Sequence, residues 1–221
     1  LAECFGRSVL RLAYVPAQTP LDWTRTGRWA MRTTLRAVPR LLVDTNDPEI
    51  RKDLKKRATR WRLNRLEQIG PVRFSRVETP EELDAMTREL TAICDFRQAA
   101  ANGVMPFRGD GSKLPFHRDL LRETDVLHVT ALRAGERLLS IQLNMRNGAE
   151  VLLCVLGHHP SAARHSPGHI HMLMLAELLA AEGVPRFDLS PEGSYKERLG
   201  TTHDSTHVVV THLHAGDASR H

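Results

Sequence analysis

"EVLLCVLGHHPSAARHSPGHIHMLMLAELLAAEGVPRFDLS", residues 150–190, carries the reading of the fold. An apolar strand, "EVLLCVL" (150–156), enters a loop rich in His and Pro, "GHHPSAARHSPG" (157–168). A very apolar helix over 169–182 follows, and Gly183 stops it. "RFDLS" then reads as a return strand. Strand, crossover helix and return strand are the elements of an α/β sheet.

Working outward, the strands before this stretch form a meander. "VLHVTAL" (126–132) and "RLLSIQLNM" (137–145) precede strand 150–156, with turns at "RAGE" and "RNGA". Asn147-Gly148 is a strong hairpin signal, since both turn positions favour positive φ. Further upstream, Asp47 is placed to cap and Pro48 to open a helix running to about Gln68, stopped by Gly70. "VRFSRV" (72–77) reads as a strand. Thr79 caps an amphipathic helix over 80–96, a loop spans 97–111, and a helix covers 112–123. Downstream, a short helix opens at Ser194 and a last strand covers 207–214. The expected class is α/β (α+β), with a mixed, mostly antiparallel sheet flanked by helices.

Residues 1–47 read differently. "LRLAYVP" (10–16) suits a strand, while residues 24–44 place Trp29, Leu35, Val38 and Leu41 at loosely helical intervals, broken up by prolines. The organisation expected is therefore 1–47 as the tail of a preceding unit or a linker, and 48–221 as the domain. Leu1 is not a start methionine, which suggests a piece of a longer protein.

The composition is that of a globular chain: 221 residues, 41% hydrophobic and 26% charged. No apolar run approaches the ~18–20 residues of a membrane span. Cys4, Cys94 and Cys154 make no metal spacing or disulfide framework, which suits a reducing cytoplasm, and Cys154 reads as an inert core thiol. Charge is uneven: residues 1–76 hold 17 Lys/Arg against 7 Asp/Glu, and the remainder 14 against 19. The excess peaks in "RKDLKKRATRWRLNR" (51–65), which suits phosphates, acidic lipid or nucleic acid as well as a solvated helix face.

Two stretches are candidates for chemistry. In "ARHSPGHIH" (163–171), Ser166 is placed to cap, Pro167 fits the first helical position and Gly168 admits a ligand to the backbone. Such a helix start, through His169, suits a pyrophosphate, although Ser-Pro-Gly is also simply a good helix start. In "FDLSPEGSYKERLG" (187–200), Tyr195 and Lys196 follow a strand end, where α/β sheets build sites. Tyr195 suits a general acid and Lys196 a phosphate contact; a packed ring and a solvated charge are the plain alternatives. The 12 histidines show no acidic partner at a ligand-like spacing, so no metal site is expected. Nucleophile elbows, Walker loops and dinucleotide fingerprints are absent.

In combination these motifs resemble a known family. The strand, the loop ending in Ser-Pro-Gly, the apolar helix ending in Gly, the Phe-Asp-Leu strand and Tyr-Lys, dense over about 124–204, are similar to the GNAT-fold acyltransferases of the cellulose-biosynthesis (CelD/BcsL-like) and Fem-like branch. "RKDLKKRATRWRLNRLEQIGPVRFSRV" extends the likeness more loosely toward the N-terminus. The resemblance implies transfer of an acyl group from acetyl-CoA or another acyl-CoA to an amine or hydroxyl, in polysaccharide or cell-envelope assembly. It implies that Leu153 and Val155, on a splayed strand, hold the pantetheine arm and thioester oxygen. Ser166, Gly168 and His169 would take the pyrophosphate, Lys196 a donor phosphate, and Tyr195 would protonate the leaving thiolate. Asp188 would orient substrate or serve as base, or cap the turn after its strand. Attack by the acceptor is direct in that scheme, so no enzyme nucleophile is needed. One departure is the diphosphate loop, where only Gly168 remains of the usual glycine pattern, with Arg164 upstream. The alternatives are an aminoacyl-tRNA-dependent transferase, with residues 51–65 on RNA, and a non-catalytic module docked on a polysaccharide synthase complex.

Overall fold

A computed structural model describes residues 8–190 and 196–213. The chain packs as two units, one of Leu1–Leu41 with His203–His221 and one of Leu42–Thr202.

The first unit is built from strands. β1 (Ser8–Pro16) pairs antiparallel with β8 (Thr202–Leu213), with an irregularity between Leu12 and Val15 where Tyr14 takes φ 57. The long strand β2 (Thr33–Asp44) gives most of its length to this unit. His212 N–H donates to the Arg32 carbonyl, and Arg40 pairs with Asp204 at 2.8 Å. Residues 33–44 are thus a strand rather than the loosely helical stretch their spacing suggests. Their β-branched Thr33, Thr34, Val38 and Val43 favour the pleat, and pairing decides where periodicity is weak. Ahead of β2, a 3-10 turn (Asp22–Arg25) and the one-turn α1 (Gly27–Ala30) set Trp23 edge-on to Trp29, with centroids 6.3 Å apart.

The second unit carries the meander. Its strands run in the order β7 (Arg186–Asp188), β6 (Glu150–His158), β5 (Arg137–Asn147), β4 (Leu127–Ala134) and β3 (Val72–Val77), with the end of β2 on the far side of β7. All neighbours are antiparallel except β6 and β7, which the crossover makes parallel. The β5–β6 turn places Gly148 at φ 57, and Asn147 already pairs with Glu150. The two turn residues are therefore Gly148 and Ala149, one position later than the Asn-Gly signal suggests.

One sheet face buries the α4 side. There α4 (Pro80–Asn102) sets Leu83, Met86, Leu90 and Ile93 against Val129, Ala131, Leu138, Ile141 and Leu143. Thr79 closes a capping box with Glu82 at its start. The helix runs six residues past the expected end, because Gln98 to Ala101 are good helix formers and Gly103, at φ 69, supplies the left-handed stop. α5 (Lys113–Glu123) follows, and buried Asp95 ties down the intervening loop by accepting the N–H groups of Phe107 and Arg108 at 2.8 and 3.1 Å.

The opposite face buries α6 (Pro167–Ala181) together with α3 (Arg57–Glu67). The helix expected over 47–68 is two helices, α2 (Pro48–Lys55) and α3, separated at Lys56, whose ψ of 142° leaves the helical region. Asp47 caps α2 through Glu49 N–H, as its position predicts. No helix among the described residues is long and apolar enough to cross a membrane.

Helix α4 lies close on β6 at Gly157. A Cβ there would stand 2.7 Å from Cys94 Sγ and 2.8 Å from Ile93 Cγ2. Gly157→Ala is expected to cost about 1–3 kcal/mol through overpacking. Urea unfolding measures this; an unchanged midpoint would show that α4 moves aside freely.

Candidate active site

The site begins where β6 outruns its neighbour. β7 pairs with β6 only at Glu150, Val151 and Leu152, ending at Asp188, whereas β6 continues to His158. The β5 register slips between Val155 and Leu153, leaving Cys154 as an extra residue. This bulge turns Cys154 outward, so its thiol is exposed rather than in the core. Leu153 and Val155 flank it. Bulging bends the strand and increases its twist just past the stretch paired with β7.

Beyond the bulge, the antiparallel alternation anchored by His159 N–H on the Leu139 carbonyl points the backbone of Leu156 away from β5. Arg97 of α4 reaches its carbonyl at 2.7 Å. Arg97 carries no signal in the sequence, because the spacing ends its helix at Phe96 and puts it in a loop. His158 follows on the same strand; burial, and then the Arg97 charge, push its imidazole below the usual range, which keeps it neutral.

The loop after β6 coils into a 3-10 turn (Pro160–His165) and enters α6. Ser166 takes the left-handed conformation at φ 52 and makes no side-chain cap, contrary to expectation. Its carbonyl accepts from His169 and Ile170 at 3.1 and 3.2 Å instead. Pro167 has no N–H, so Gly168 supplies the donor left open at the helix start.

A cleft of about 560 Å³ opens on this helix start. Ser166, Gly168, His169, Leu156 and His158 line one part of it, and Lys56, Arg62, Arg97 and Arg198 bring cationic heads to it. Among the described residues, Asp53 is the one acidic side chain in this lining, and it is paired with Lys56. Burial, reinforced by Arg62 and Arg198, holds His169 below its usual range against the pull of Asp53. A helix N-terminus facing several guanidinium groups has the charge and the donors that an anion needs. A diphosphate fits it: the Gly168 backbone is open, and even a methyl there would stand 3.6 Å from His158 Nδ1. Sequence spacing brought Ser166, Gly168 and His169 together. The basic run 51–65, read as suited to phosphates, supplies Lys56 and Arg62. Nothing in the sequence pointed to Arg97 or Arg198, which arrive from two other segments.

Asp188 lies at the end of β7, 6% exposed, and its Oδ1 accepts the Ser190 N–H at 2.8 Å, fixing the turn. Lys196 is buried, not a solvated charge; its Nζ donates to the Leu189 carbonyl at 2.6 Å. Burial, with Arg97 adding, lowers its pKa, and Asp188 opposes. Tyr195 lies outside the described residues, as do Ser194 and the turn before it. Arg164 lines a separate pocket with Trp61. Among the described residues no three His, Cys, Asp or Glu side chains gather as a metal site.

This geometry, a bulged strand that outruns its parallel neighbour beside a helix start lined by cationic side chains, accompanies a sequence match over residues 54–197 to a family described as an acetyltransferase (GNAT) domain. The chain belongs to the GNAT family. No curated protein matches it. Solved structures resemble this GNAT chain at low identity. A conserved protein of unknown function from Bacteroides thetaiotaomicron has TM-score 0.59 at 12% identity, covering 93% of this chain and 70% of its own. The C-terminal domain of a putative lysylphosphatidylglycerol synthetase from Agrobacterium fabrum has TM-score 0.55 at 18% identity, covering 80% and 61%. FemX has TM-score 0.50 at 10% identity, covering 77% and 61%. The GNAT chain thus spans about three-fifths of the length of the synthetase domain. These likenesses concern the fold.

Proposed function

We propose that this GNAT domain is an acyltransferase that moves an acyl group from acyl-CoA to an amine or hydroxyl. In this reading it serves polysaccharide or cell-envelope assembly in the cytoplasm, in the cellulose-biosynthesis and Fem-like branch, and residues 1–47 end a preceding half-domain. The observation that carries the reading is the cationic cleft at the start of α6, lined also by the part of β6 beyond its pairing with β7. The diphosphate sits at Gly168 and His169, among Arg62, Arg97 and Arg198. The pantetheine arm lies along Leu153, Val155 and Leu156, and the Leu156 N–H, which points away from β5, faces its amides and thioester oxygen. The acceptor attacks the thioester carbonyl directly, and the thiolate leaves as the acceptor's proton is lost. Tyr195 protonates that thiolate. Asp188 orients the acceptor or takes its proton, and Lys196 holds the strand end where donor and acceptor meet.

The second reading is an aminoacyl-tRNA-dependent transferase. The exposed Arg51, Lys52, Lys55, Arg57 and Arg60 favour it, because α2 and α3 carry charge beyond the cleft itself. A docking module without turnover is the remaining alternative.

Thiol release from acetyl-CoA, followed across a panel of amines and saccharides, tests the first reading. Release that depends on acceptor supports it; transfer only from charged tRNA replaces it. Tyr195→Phe is expected to lower turnover by about 10²-fold or more, the usual size of a lost acid, and Lys196→Ala to lower it by releasing the strand end from the Leu189 carbonyl. Unchanged turnover in both variants would remove these residues from the reaction.

A further inference from the structure

A second pocket stands apart from the donor cleft and has no part in the proposed reaction. It has a volume of about 440 Å³ and is lined by Trp61, Arg65, Gln68, Ser161, Arg164 and His165, with Ile69 at its edge. Among the described residues no acidic side chain lines it. Trp61 is 51% exposed, unusual for so large an apolar ring on a charged helix. Arg65 lies over the indole at 5.4 Å from its centroid, and His165 meets it edge-on at 5.9 Å. Arg65 donates to Gln68 at 3.2 Å, which holds it over the ring, and Arg164 donates to His165 at 3.0 Å, which fixes it in the same pocket lining. An aromatic platform beside two guanidinium groups matches a planar ring bearing a negative group: the ring stacks, and the guanidinium groups take the anion.

We propose that the Trp61 pocket is a second ligand site, which takes a nucleoside phosphate with its base on Trp61 and its phosphate at Arg65 and Arg164. Gln68 faces the base edge with an amide that can donate and accept. The 3-10 turn Pro160–His165 separates this site from the donor cleft: Ala163 lines the cleft, whereas Ser161, Arg164 and His165 line the pocket. The same base-and-phosphate chemistry exists in a free nucleotide and in the nucleotide end of a donor; the site belongs to the free nucleotide.

The test uses ATP as probe. With Trp23→Phe and Trp29→Phe, Trp61 is the one indole left in the chain. ATP is expected to quench it saturably, and inorganic phosphate is not. Arg65→Ala and Arg164→Ala are each expected to weaken ATP binding about tenfold, as for a lost charge-assisted hydrogen bond. Saturating acetyl-CoA is expected to leave ATP affinity unchanged. Absence of quenching and of binding heat would overturn the proposal. So would equal binding of phosphate alone, which leaves the indole without a role, or competition by acetyl-CoA, which would make the pocket part of the donor cleft. If the tryptophan variant does not fold, calorimetry of ATP with the natural chain and Arg164→Ala decides the same question, because Arg164 is a surface residue.

Discussion

Gly168→Glu is expected to abolish acetyl-CoA binding, weakening it by about 100-fold or more, equivalent to about 3 kcal/mol. The substitution places a carboxylate at the α6 start, where Arg62, Arg97 and Arg198 face the cleft. It would draw those guanidinium groups to itself and repel an incoming diphosphate. Size is not the cause. A Cβ at Gly168 meets His158 Nδ1 at 3.6 Å and the Leu156 methyls at 3.9 Å, which are ordinary contacts. Gly168→Ala should therefore bind within a few-fold of the natural chain. The pair separates charge from bulk, and a melting curve for each variant excludes unfolding as the reason. Equal loss in both would mean that the backbone at Gly168, rather than its electrostatic surroundings, governs binding.

The second large effect is loss of stability in acid. His171 projects from α6 into the face covered by the sheet, is fully buried, and has its Nε2 2.8 Å from Thr130 Oγ1. Phe74 meets its ring edge-on with centroids 5.3 Å apart. Burial pushes its pKa down to about 3, with the Ser140 backbone opposing slightly. The unfolded chain binds this proton near the usual histidine value, and the folded chain does not. Its contribution is thus complete above pH ~6.5 and is lost as the pH falls toward ~3. At pH 5 the loss from His171 alone is about 2 kcal/mol. His117, His128, His158 and His169 are lowered chiefly by burial and act in the same direction. Urea unfolding at a series of pH values should show this slope, and His171→Gln should flatten it. A variant profile parallel to the natural one would assign the acid sensitivity to other groups.

Much of the second unit is legible in the sequence because its signals are local. The apolar run 169–182 with Gly183 behind it, the Thr79 capping box and the meander turns each lie within a few residues. The failures arise where distant segments decide. Residues 33–44 have weak periodicity of their own and become β2 by pairing. Arg97 is hidden because the expected helix ends at Phe96, whereas the left-handed residue that stops it is Gly103. Lys196 reads as a phosphate contact or a solvated charge, yet its ammonium is buried against the Leu189 carbonyl, a contact that no spacing announces. Ser166 shows the opposite error. Its residue type suits a cap, but its left-handed backbone turns the side chain from that task. Cys154 is similar: an apolar neighbourhood predicts burial, and a one-residue bulge exposes it.

The α6 start and the free edge of β6 together form the proposed donor site for acyl-CoA, and on that site the functional reading stands. Calorimetry of the natural chain with acetyl-CoA, and in parallel with tRNA, at low and raised salt, tests it most directly. A donor site for acyl-CoA predicts a saturable heat with acetyl-CoA that persists at raised salt and disappears in Gly168→Glu. No heat with acetyl-CoA, beside tRNA binding that falls steeply with salt, would contradict it and assign the cleft to a nucleic-acid-borne donor.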